Sequence, residues 1–454
     1  MPTAKTRTSE PLLQSLFEKV EWAGKLLEVP DWVIEQEIKL YKCHELTVGK
    51  LRLEMDDGTS ERFSATVVLH CQPYYHDRPY KGGIRLSNTV TPSFLRVLAF
   101  EMTFKCAVAN IEFGGGKSGI RMERPINQYS PREITRIIEA FSEVFIKEHR
   151  VISPRYYVPA TDMGTTSGNM DVIHGKYWEE AKNGTIAGGT GTAVTGRTVK
   201  NGGSPGREEA TALGGLIVLE KLRQLGDMPK LKSKQPTVVV QGLGQVGGNF
   251  VKLAEERGYK VVGVSNITGA VYNKDGIDIS ELPKNSNLSI NPNGSLENVT
   301  GEHLLSQDII TKPCDILVPA AMENVITMEN HRGISAKVIL ELANHPTNEN
   351  AHRELTKRAY VVPDIFANAG GVSVSFWEWS LSLGHPRHSM QIQQTLEEVR
   401  ANLTAQMEDA TNQVLWYAKK YDTDLRGAAW LKATQLIAER LQMKHGDRWA
   451  PRQK

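Results

Sequence analysis

The 454-residue sequence predicts an α/β protein of two domains that is closed by C-terminal helices. Three observations support this prediction. The chain exceeds the size at which a single hydrophobic core stops growing. Residues 236–264 have the pattern of a strand, a glycine turn, a helix and a second strand. Residues 184–208 are rich in glycine, threonine, serine and proline, which indicates a connector between two domains.

Ahead of the connector, the spacing of apolar residues predicts both helices and strands. A stripe that includes Leu12, Leu16 and Val20 gives the N-terminal region a helical pattern. Apolar alternation on either side of an Asp-Asp-Gly turn predicts two strands. The predicted elements are helical patterning within 11–42, strands at 51–55 and 64–71, and helices at 92–110 and 131–149.

Behind the connector, a glycine motif stands in a regular setting. A β-branched run at 237–240 is typical of a buried parallel strand, and the G-x-G-x-x-G motif, a helix at 249–257 and a second strand at 260–264 follow. The motif glycines are Gly242, Gly244 and Gly247. In such a unit the pyrophosphate of a dinucleotide lies at the helix N-terminus, so we predict a Rossmann-type dinucleotide-binding domain. The alternative is a glycine turn in some other α/β protein.

The end of the second strand bears on which dinucleotide binds. An acidic residue is expected there for the adenosine ribose, but this chain has Ser265 and Asn266. Asn266 can hydrogen-bond a ribose hydroxyl and carries no charge that would repel a 2′-phosphate. This position therefore does not decide between the two dinucleotides, and the predicted cofactor is NAD or NADP, with NAD slightly favoured.

Further strands and two helices complete this half of the chain. Apolar runs at 315–319 and 337–340 predict buried strands, and loops at the carboxyl ends of such strands line the ligand crevice. A stripe through Leu396, Val399, Leu403 and Met407 is assigned to the core or to a subunit interface. The predicted crevice loops are 320–324, 343–347 and 367–371, and the C-terminal helices are 391–419 and 427–443.

Three lysines in glycine-rich or apolar contexts, namely Lys81, Lys105 and Lys117, are candidates for chemistry. Lys117 follows Gly114-Gly115-Gly116, which we interpret as a loop where glycines allow a ligand to approach or positive φ angles. Burial and the charges of the other two lysines should lower its pKa toward the range of a base. The alternative is a surface glycine turn with an ordinary lysine.

A carboxylate is the second candidate. Asp162 ends the sequence Val-Pro-Ala-Thr-Asp and precedes Met-Gly-Thr, where it could simply be a turn or helix-cap residue. If it faces Lys117, it becomes a proton-transfer group, and the lysine keeps it ionised.

Composition excludes several classes of function. The net charge is +2, from 54 basic and 52 acidic residues, which gives no support to a nucleic-acid surface or a polybasic membrane anchor. No apolar run approaches the roughly 18 residues of a spanning helix, and the N-terminus lacks the apolar region of a secretory signal. Four dispersed cysteines argue against a disulfide framework or a metal site, so a cytoplasmic location is expected.

From about residue 50 to the C-terminus, these motifs together resemble a glutamate dehydrogenase of the hexameric bacterial and archaeal type, within the Glu/Leu/Phe/Val dehydrogenase superfamily. By motif match, Lys117 resembles the lysine that activates water and Asp162 the aspartate that moves protons on the amino group. Lys105 resembles the lysine that binds the α-carboxylate, and Lys81 with Ser375 the pair that receives the side-chain carboxylate. The resemblance also implies a cofactor set of Thr211 at the nicotinamide amide together with Gly242, Gly244, Gln245, Val246, Gly247, Asn266, Asn344 and Asn368.

The resemblance implies three regions and a homohexamer. They are a substrate-binding and oligomerisation domain at 1–208, an NAD(P)-binding domain at 209–400, and C-terminal helices at 401–454 that pack back near the first domain. The implied reaction is the reversible oxidative deamination of glutamate to 2-oxoglutarate and ammonium. Two alternatives stay open: a dehydrogenase of apolar amino acids, which should lack Lys81, and a catalytically silent regulatory relative.

The chain departs from the family pattern in a few places. Ser118 and His345 stand where glycines are usual, Ala212-Leu213 replace Gly-Arg after Thr211, and Asn266 replaces a frequent aspartate. None of these changes removes a proposed catalytic group.

Overall fold

The computed structural model describes residues 10–39, 44–74, 78–187, 191–229, 231, 234–285, 289–383 and 394–445. They form two compact units, each built around one β-sheet. The first unit comprises Met1–Pro205, Val374–Thr395 and Trp430–Lys454, and the second comprises Gly206–Ser373 and Leu396–Ala429. Among the described residues, no helix combines the length and apolarity that a bilayer crossing requires.

The division differs from the expected domain limits in two places. The first limit lies at 205/206, three residues before the expected 208/209, but 374–395 belong to the first unit. The expected C-terminal region at 401–454 is shared, because residues up to 429 belong to the second unit and later ones to the first. Contacts between residues distant in sequence determine these assignments, and local composition does not reveal them.

In the first unit, five strands and four α-helices are interspersed over the described residues from 10 to 182. The N-terminal helical pattern is broken near Glu28, which has a positive φ of 53°, and Pro30, and residues 40–42 of this prediction lie outside the described residues. The elements are α1 Glu10–Leu26, a π-helix Val33–Lys39, β1 His44–Glu54, β2 Ser60–Leu69, β3 Tyr80–Ser87, α2 Pro92–Val108, β4 Gly114–Arg121, a 3₁₀ turn Ile126–Gln128, α3 Pro131–Ser142, a π-helical continuation Glu143–Glu148, β5 Tyr157–Thr161, α4 Ser167–Lys182 and a 3₁₀ turn Val199–Asn201.

The sheet of the first unit has the order β1-β2-β4-β3-β5. Strands β2 and β4 pair antiparallel, whereas β3 runs parallel to both β4 and β5. One face contributes to an apolar core that includes Val67, Ile120 and residues of α3 and α4 such as Ile138. On the other face Val68 packs with Ala99 of α2. Helix α2 therefore covers one face of the sheet.

The second unit contains the predicted dinucleotide-binding pattern. Its elements are α5 Ala210–Gln224, β6 Thr237–Gln241, α6 Gln245–Glu256, β7 Lys260–Asn266, β8 Gly269–Tyr272, β9 Glu302–Leu304, β10 Ile316–Pro319, β11 Val338–Leu340, α7 Glu349–Leu355, β12 Tyr360–Val362 and α8 Asp364–Ala367, with 3₁₀ turns Ile279–Glu281, Ser306–Thr311 and His331–Gly333. Three further helices are α9 Gly370–Ser382, α10 Leu396–Tyr421 and α11 Leu425–His445.

The sheet of this unit has the order β12-β11-β10-β6-β7-β8-β9. The strands from β12 to β7 are parallel, and β8 and β9 add an antiparallel edge. Strand β6 lies between β10 and β7, so the glycine motif that follows it starts at the centre of the sheet. The predicted α/β fold class is confirmed.

The apolar stripe on α10 belongs to the core of the second unit. Val399, Leu403 and Met407 are at most 1% exposed, and the Met407 side chain reaches Gly214 of α5. Leu396, at the start of the helix, is 39% exposed.

Candidate active site and dinucleotide site

The glycine-rich segment around Lys117 is a strand, so its interpretation as a loop was wrong. Residues 114–121 form β4, which is hydrogen-bonded between β2 and β3. None of its four glycines has a positive φ. The sequence prediction failed because glycine has little strand propensity, and the pairing partners of this strand lie far away in sequence.

These glycines are needed because neighbouring atoms occupy the space of a side chain. A Cβ on Gly115 would lie 2.2 Å from Thr103 Oγ1 and 2.3 Å from the Ala99 carbonyl oxygen, both on α2. A Cβ on Gly116 would lie 2.9 Å from the ring of Tyr157 on the opposite face. The absent side chains allow α2, which carries Lys105, to lie directly against the strand that carries Lys117.

Strand register places three candidate residues on one face of the sheet. Lys81 pairs with Gly115 on one side and with Val158 on the other. Gly115 precedes Lys117 by two residues in β4. Because side chains alternate along a strand, Lys117 lies on the same face of the sheet as Gly115 and its neighbour Lys81. Asp162 immediately follows β5, and a Cβ on Gly83 would lie 2.6 Å from the Asp162 Cβ, which places it beside β3 on this face.

Lys117 and Asp162 are in direct contact. The Lys117 ammonium donates a hydrogen bond to Asp162 Oδ2, and both side chains are nearly buried, with 7% and 13% exposed. The other oxygen, Oδ1, accepts from the Met163 backbone N–H at 2.6 Å and from the Arg85 guanidinium at 3.3 Å. The condition set by the sequence analysis, that Asp162 faces Lys117, is therefore met.

Charge and burial shift the pKa of both groups. Burial lowers the pKa of Lys117, and Arg85 and Lys105 lower it further, whereas Asp162 opposes the shift. For Asp162, burial alone would raise the pKa, but Lys117 and Arg85 outweigh it and hold the pKa well below its usual range. The lowered pKa of Lys117 agrees with the prediction, although Arg85 contributes more to it than Lys105 does.

The charges of the other two lysines act on the buried thiol of Cys106. Lys81 is 2% exposed on β3, and Lys105 lies in the last turn of α2. Burial raises the pKa of Cys106 to about 12, and the charges of Lys81 and Lys105 oppose this rise, so both lysines lie near the thiol. The end of α2 is capped by Lys432, whose ammonium donates to the Val108 carbonyl at 2.5 Å.

Ser375 belongs to the same unit as the lysines and is 1% exposed on α9. The rings of Phe376 and Trp379 on this helix each lie 5.2 Å from the ring of Phe113, the residue before β4. The Trp379 indole N–H also donates to the Pro154 carbonyl at 2.7 Å. The packing of these rings brings Ser375 into the first unit, and no sequence pattern predicts this packing.

The departure at Ser118 has a structural explanation. Its hydroxyl is fully buried and lies 2.8 Å from the Tyr157 hydroxyl. Tyr157 begins β5, whose end leads to Asp162, and burial raises the pKa of its phenol. The hydroxyl pair therefore joins the strand of Lys117 to the strand that leads to Asp162, beneath the face that carries them.

Two buried residues of the first unit were missed by the sequence analysis. They are Arg85 on β3 and Thr195, neither of which the sequence singles out as a candidate. Thr195 is fully buried, its N–H donates to the Pro159 carbonyl of β5 at 3.0 Å, and its hydroxyl has no hydrogen-bond partner. A buried hydroxyl without a partner is a signal that only the structure provides.

In the second unit, each motif glycine meets a different requirement. Gly242 has a φ of +96°, which favours glycine at the turn. A Cβ on Gly247 would lie 1.8 Å from the Gly242 carbonyl oxygen, so the third glycine allows α6 to pack on the turn. Nothing lies within 4 Å of the Cβ position of Gly244, which leaves its backbone open to a ligand. These three roles are those of a dinucleotide-binding turn.

Gln245 and Val246 form the first turn of α6, where Gln245 is exposed and Val246 half-buried. Because α6 has no side-chain cap hydrogen bond at Gly244, its first backbone N–H groups suit an anion such as pyrophosphate.

Asn266 ends β7 as predicted, and its amide bonds within the protein. Its Oδ1 accepts from the Thr268 N–H at 2.8 Å and from the Thr268 hydroxyl at 2.7 Å, and its Nδ2 donates to the Gly294 carbonyl at 2.8 Å. The side chain therefore fixes the loop at this end of the sheet.

The remaining cofactor candidates lie near α5 and the loop after β11. Asn368 Nδ2 donates to Asn344 Oδ1 at 3.1 Å, whereas Asn368 Oδ1 is buried without a partner. The Thr211 hydroxyl lies on α5, 2.6 Å from the Cβ position of Gly371. An unpartnered acceptor at Asn368 and the open backbone at Gly244 fit the amide and the phosphates of a nicotinamide dinucleotide.

Comparisons with known proteins agree with this description. A family model described as Glutamate/Leucine/Phenylalanine/Valine dehydrogenase matches residues 202–445, and the dimerisation domain of the same family matches residues 44–179. The glutamate dehydrogenase of Thermotoga maritima is 36% identical over 436 residues, which cover 94% of this chain and 96% of the relative.

Two further similarities extend over nearly the whole chain. The NAD-specific glutamate dehydrogenase A of Halobacterium salinarum is 33% identical and covers 96% of this chain and 92% of its own length. The crystal structure of the hetero-hexameric glutamate dehydrogenase from Thermus thermophilus in its Leu-bound form superimposes with a TM-score of 0.80 at 28% identity, covering 97% of this chain and 99% of the other. On the combined strength of sequence, fold and buried site, the chain belongs to the Glu/Leu/Phe/Val dehydrogenase family.

Proposed function

We propose that this chain is a glutamate dehydrogenase that converts L-glutamate reversibly to 2-oxoglutarate and ammonium with NAD or NADP. The observation that carries the proposal is the buried Lys117–Asp162 pair on a face that also holds Lys81. Glutamate has two carboxylates, and two further lysines, Lys81 and Lys105, lie near this pair. Relatives named NAD-specific and NADP-specific glutamate dehydrogenase support both cofactors.

In this proposal each side chain has one task. Lys105 binds the α-carboxylate, and Lys81 with Ser375 binds the side-chain carboxylate. A bound nicotinamide supplies the acceptor for the hydride of the α-carbon. Lys117 in its neutral form takes a proton from the water that adds to the iminium carbon of the substrate. Asp162 exchanges protons with the amino group, which leaves as ammonia.

The proposed cofactor residues form two groups, one for the pyrophosphate of the dinucleotide and one for its nicotinamide amide. Gly242, Gly244 and Gly247 with the first turn of α6 receive the pyrophosphate. Thr211, Asn344 and Asn368 receive the nicotinamide amide, and Asn266 borders the ribose. The proposal includes a cytoplasmic homohexamer, which cell fractionation and light scattering of the purified protein test. The match to the dimerisation domain supports self-association.

The catalytic assignment predicts that Lys117→Ala lowers kcat by about 10²–10⁴-fold, the usual contribution of a positioned acid or base. Dinucleotide affinity should stay nearly unchanged, because the glycine turn belongs to the other unit. Initial rates of nicotinamide reduction and fluorescence titration of the reduced cofactor measure the two quantities. Lys176→Ala, on the exposed side of α4, is the matched control. Near-normal turnover of Lys117→Ala would refute the assignment.

The substrate assignment predicts strong rejection of leucine, valine and norleucine. A buried ammonium without its anionic partner is costly, and sites that bind a polar group discriminate against analogues lacking it by roughly 10⁴-fold. Lys81→Leu combined with Ser375→Val should reverse the preference toward apolar amino acids. The ratio of kcat/KM for glutamate and norleucine in both proteins measures this. A fixed ratio, or a wild type that prefers norleucine, would favour the apolar amino-acid dehydrogenase instead.

A further inference from the structure

Arg85 is a buried cation that the proposed reaction does not yet use. It lies on β3, is 6% exposed, and its guanidinium is 5.4 Å from the ring centroid of Phe94. Its Nη2 and Nε atoms are 3.3 and 3.4 Å from Asp162 Oδ1. The Asp162 carboxylate therefore lies between two cations, with Arg85 on one oxygen and Lys117 on the other.

This arrangement fixes the direction of the carboxylate. Oδ1 is held by the Arg85 guanidinium and by the Met163 N–H, so Oδ2 is left to face Lys117. Two donors from different segments of the chain resist rotation of the carboxylate. Within the described part of the chain, removal of Arg85 would leave the Met163 N–H as the one protein donor to Oδ1.

The charged groups around Lys117 come from three elements. Asp162 follows β5, Arg85 is on β3, and Lys105 is on α2. Tyr157 lies on the opposite face of the sheet, where its hydroxyl pairs with Ser118. The Arg85 guanidinium lowers the pKa of Lys117 more than Lys105 does, and Lys81 lies on the same face of the sheet as a further cation. A guanidinium is not deprotonated in proteins.

We propose that Arg85 is a positioning residue for the reaction, because its guanidinium fixes the Asp162 carboxylate and, as a second buried cation, favours the neutral amine of Lys117. The inference rests on the proposed function. A like charge nearby disfavours the charged form of a base, so it moves the onset of activity to lower pH. Removal of Arg85 should therefore move the rising limb of the pH–rate profile to higher pH.

The test is the pH dependence of kcat and of kcat/KM for glutamate oxidation in Arg85→Gln and Arg85→Lys. In Arg85→Gln we expect the rising limb to move up by about one pH unit, and kcat at neutral pH to fall tenfold or more. In Arg85→Lys the positive charge remains, but the contacts of Nη2 and Nε with Asp162 Oδ1 are lost. The rising limb should therefore stay within about 0.3 pH units of the wild type while kcat falls a few-fold. Arg96→Gln, at an exposed position of α2, should leave the profile unchanged.

Two results would overturn the inference. An unshifted limb in Arg85→Gln with only a lower kcat would show a purely structural role, and wild-type kinetics would show no role. If Arg85→Gln fails to fold, the Arg85→Lys variant tests the inference alone. A displaced rising limb of its pH–rate profile, or an unchanged kcat, would contradict the inference. The proposed function fails separately, when the wild-type protein does not reduce nicotinamide with glutamate or when Lys117→Ala retains activity.

Discussion

Two glycine-rich segments of this chain have similar compositions, but they need glycine for different structural reasons. In residues 114–119 of β4, no glycine has a positive φ, and neighbouring atoms occupy the side-chain positions of the glycines. In the turn at 242–247, Gly242 has a positive φ and Gly244 faces open space. The first segment needs glycine because neighbouring protein atoms occupy the side-chain positions. In the second segment, Gly242 allows the backbone to turn and Gly244 leaves it open to a ligand, whereas Gly247 is needed, as in β4, because a neighbouring atom lies too close. Glycine content alone therefore does not distinguish a strand from a loop.

The glycines of the two segments support the chemistry of their units in different ways. In the first unit the missing side chains bring α2 onto β4, and thereby Lys105 toward Lys117. In the second unit the missing side chain at Gly244 leaves backbone exposed at the start of α6. Substitution by alanine adds one methyl group at the Cβ position. It should therefore distinguish a glycine that allows close packing from one that leaves the backbone open to a ligand.

The largest effect is expected for Gly115→Ala. Its Cβ would lie 2.2 Å from Thr103 Oγ1, so α2 must move or the strand must shift. Overpacking of this kind typically costs about 1–3 kcal/mol, and we expect the upper end together with loss of activity. Thermal or denaturant unfolding measures the stability. Gly175→Ala on α4, where nothing lies within 4 Å, is the control and should stabilise by about 0.5–1 kcal/mol. Equal stability of the two variants would show that α2 does not press on β4.

A smaller and different effect is expected for Gly244→Ala. The added methyl group meets no protein atom within 4 Å, and the φ of −65° suits alanine, so unfolding should be nearly unchanged. The methyl group would instead crowd the pyrophosphate, and we expect dinucleotide affinity to fall by about tenfold, or 1.4 kcal/mol. Titration of cofactor fluorescence checks this. An unaltered dissociation constant would place the phosphates elsewhere.

The smallest effect is expected at the ribose. Asn266→Asp keeps an acceptor for Thr268 but replaces the donor to Gly294 with an oxygen. A carboxylate near the ribose repels a 2′-phosphate, so the ratio of kcat/KM for NADP to that for NAD should fall several-fold. Steady-state kinetics with both cofactors measure this ratio. If it is constant or rises, Asn266 does not border the ribose.

The sequence predicted the second unit better than the first, and the reason is physical. The strands at 237–240 and 260–264, the glycine turn and the helix at 249–257 are local patterns. In the structure the two strands are longer by one and two residues, and the helix begins four residues earlier and ends one residue earlier than predicted. Strand β4 escaped prediction because half of its residues are glycine, and its pairing with β2 and β3 is not a local property.

Long-range contacts explain what else was missed in the site. Arg85 and Asp162 are 77 positions apart, and no spacing rule connects them. Lys117 and Asp162 could be named as candidates from their motifs, but their contact is a result of the register between β3, β4 and β5. The assignment of Ser375 to the first unit likewise depends on ring packing against Phe113, which only the folded chain reveals.

The glycine content of β4 also affects the unfolded chain. Glycine loses more backbone freedom on folding than other residues, by about 0.5–1 kcal/mol relative to alanine in a strand. With glycine at four of eight positions, the strand that carries Lys117 forgoes about 2–4 kcal/mol of intrinsic stability. Its order must come from β2, β3 and α2, which surround it. The position of the reactive lysine is therefore a cooperative property of the whole first sheet, and damage at a distant strand or helix should reach the chemistry through this segment.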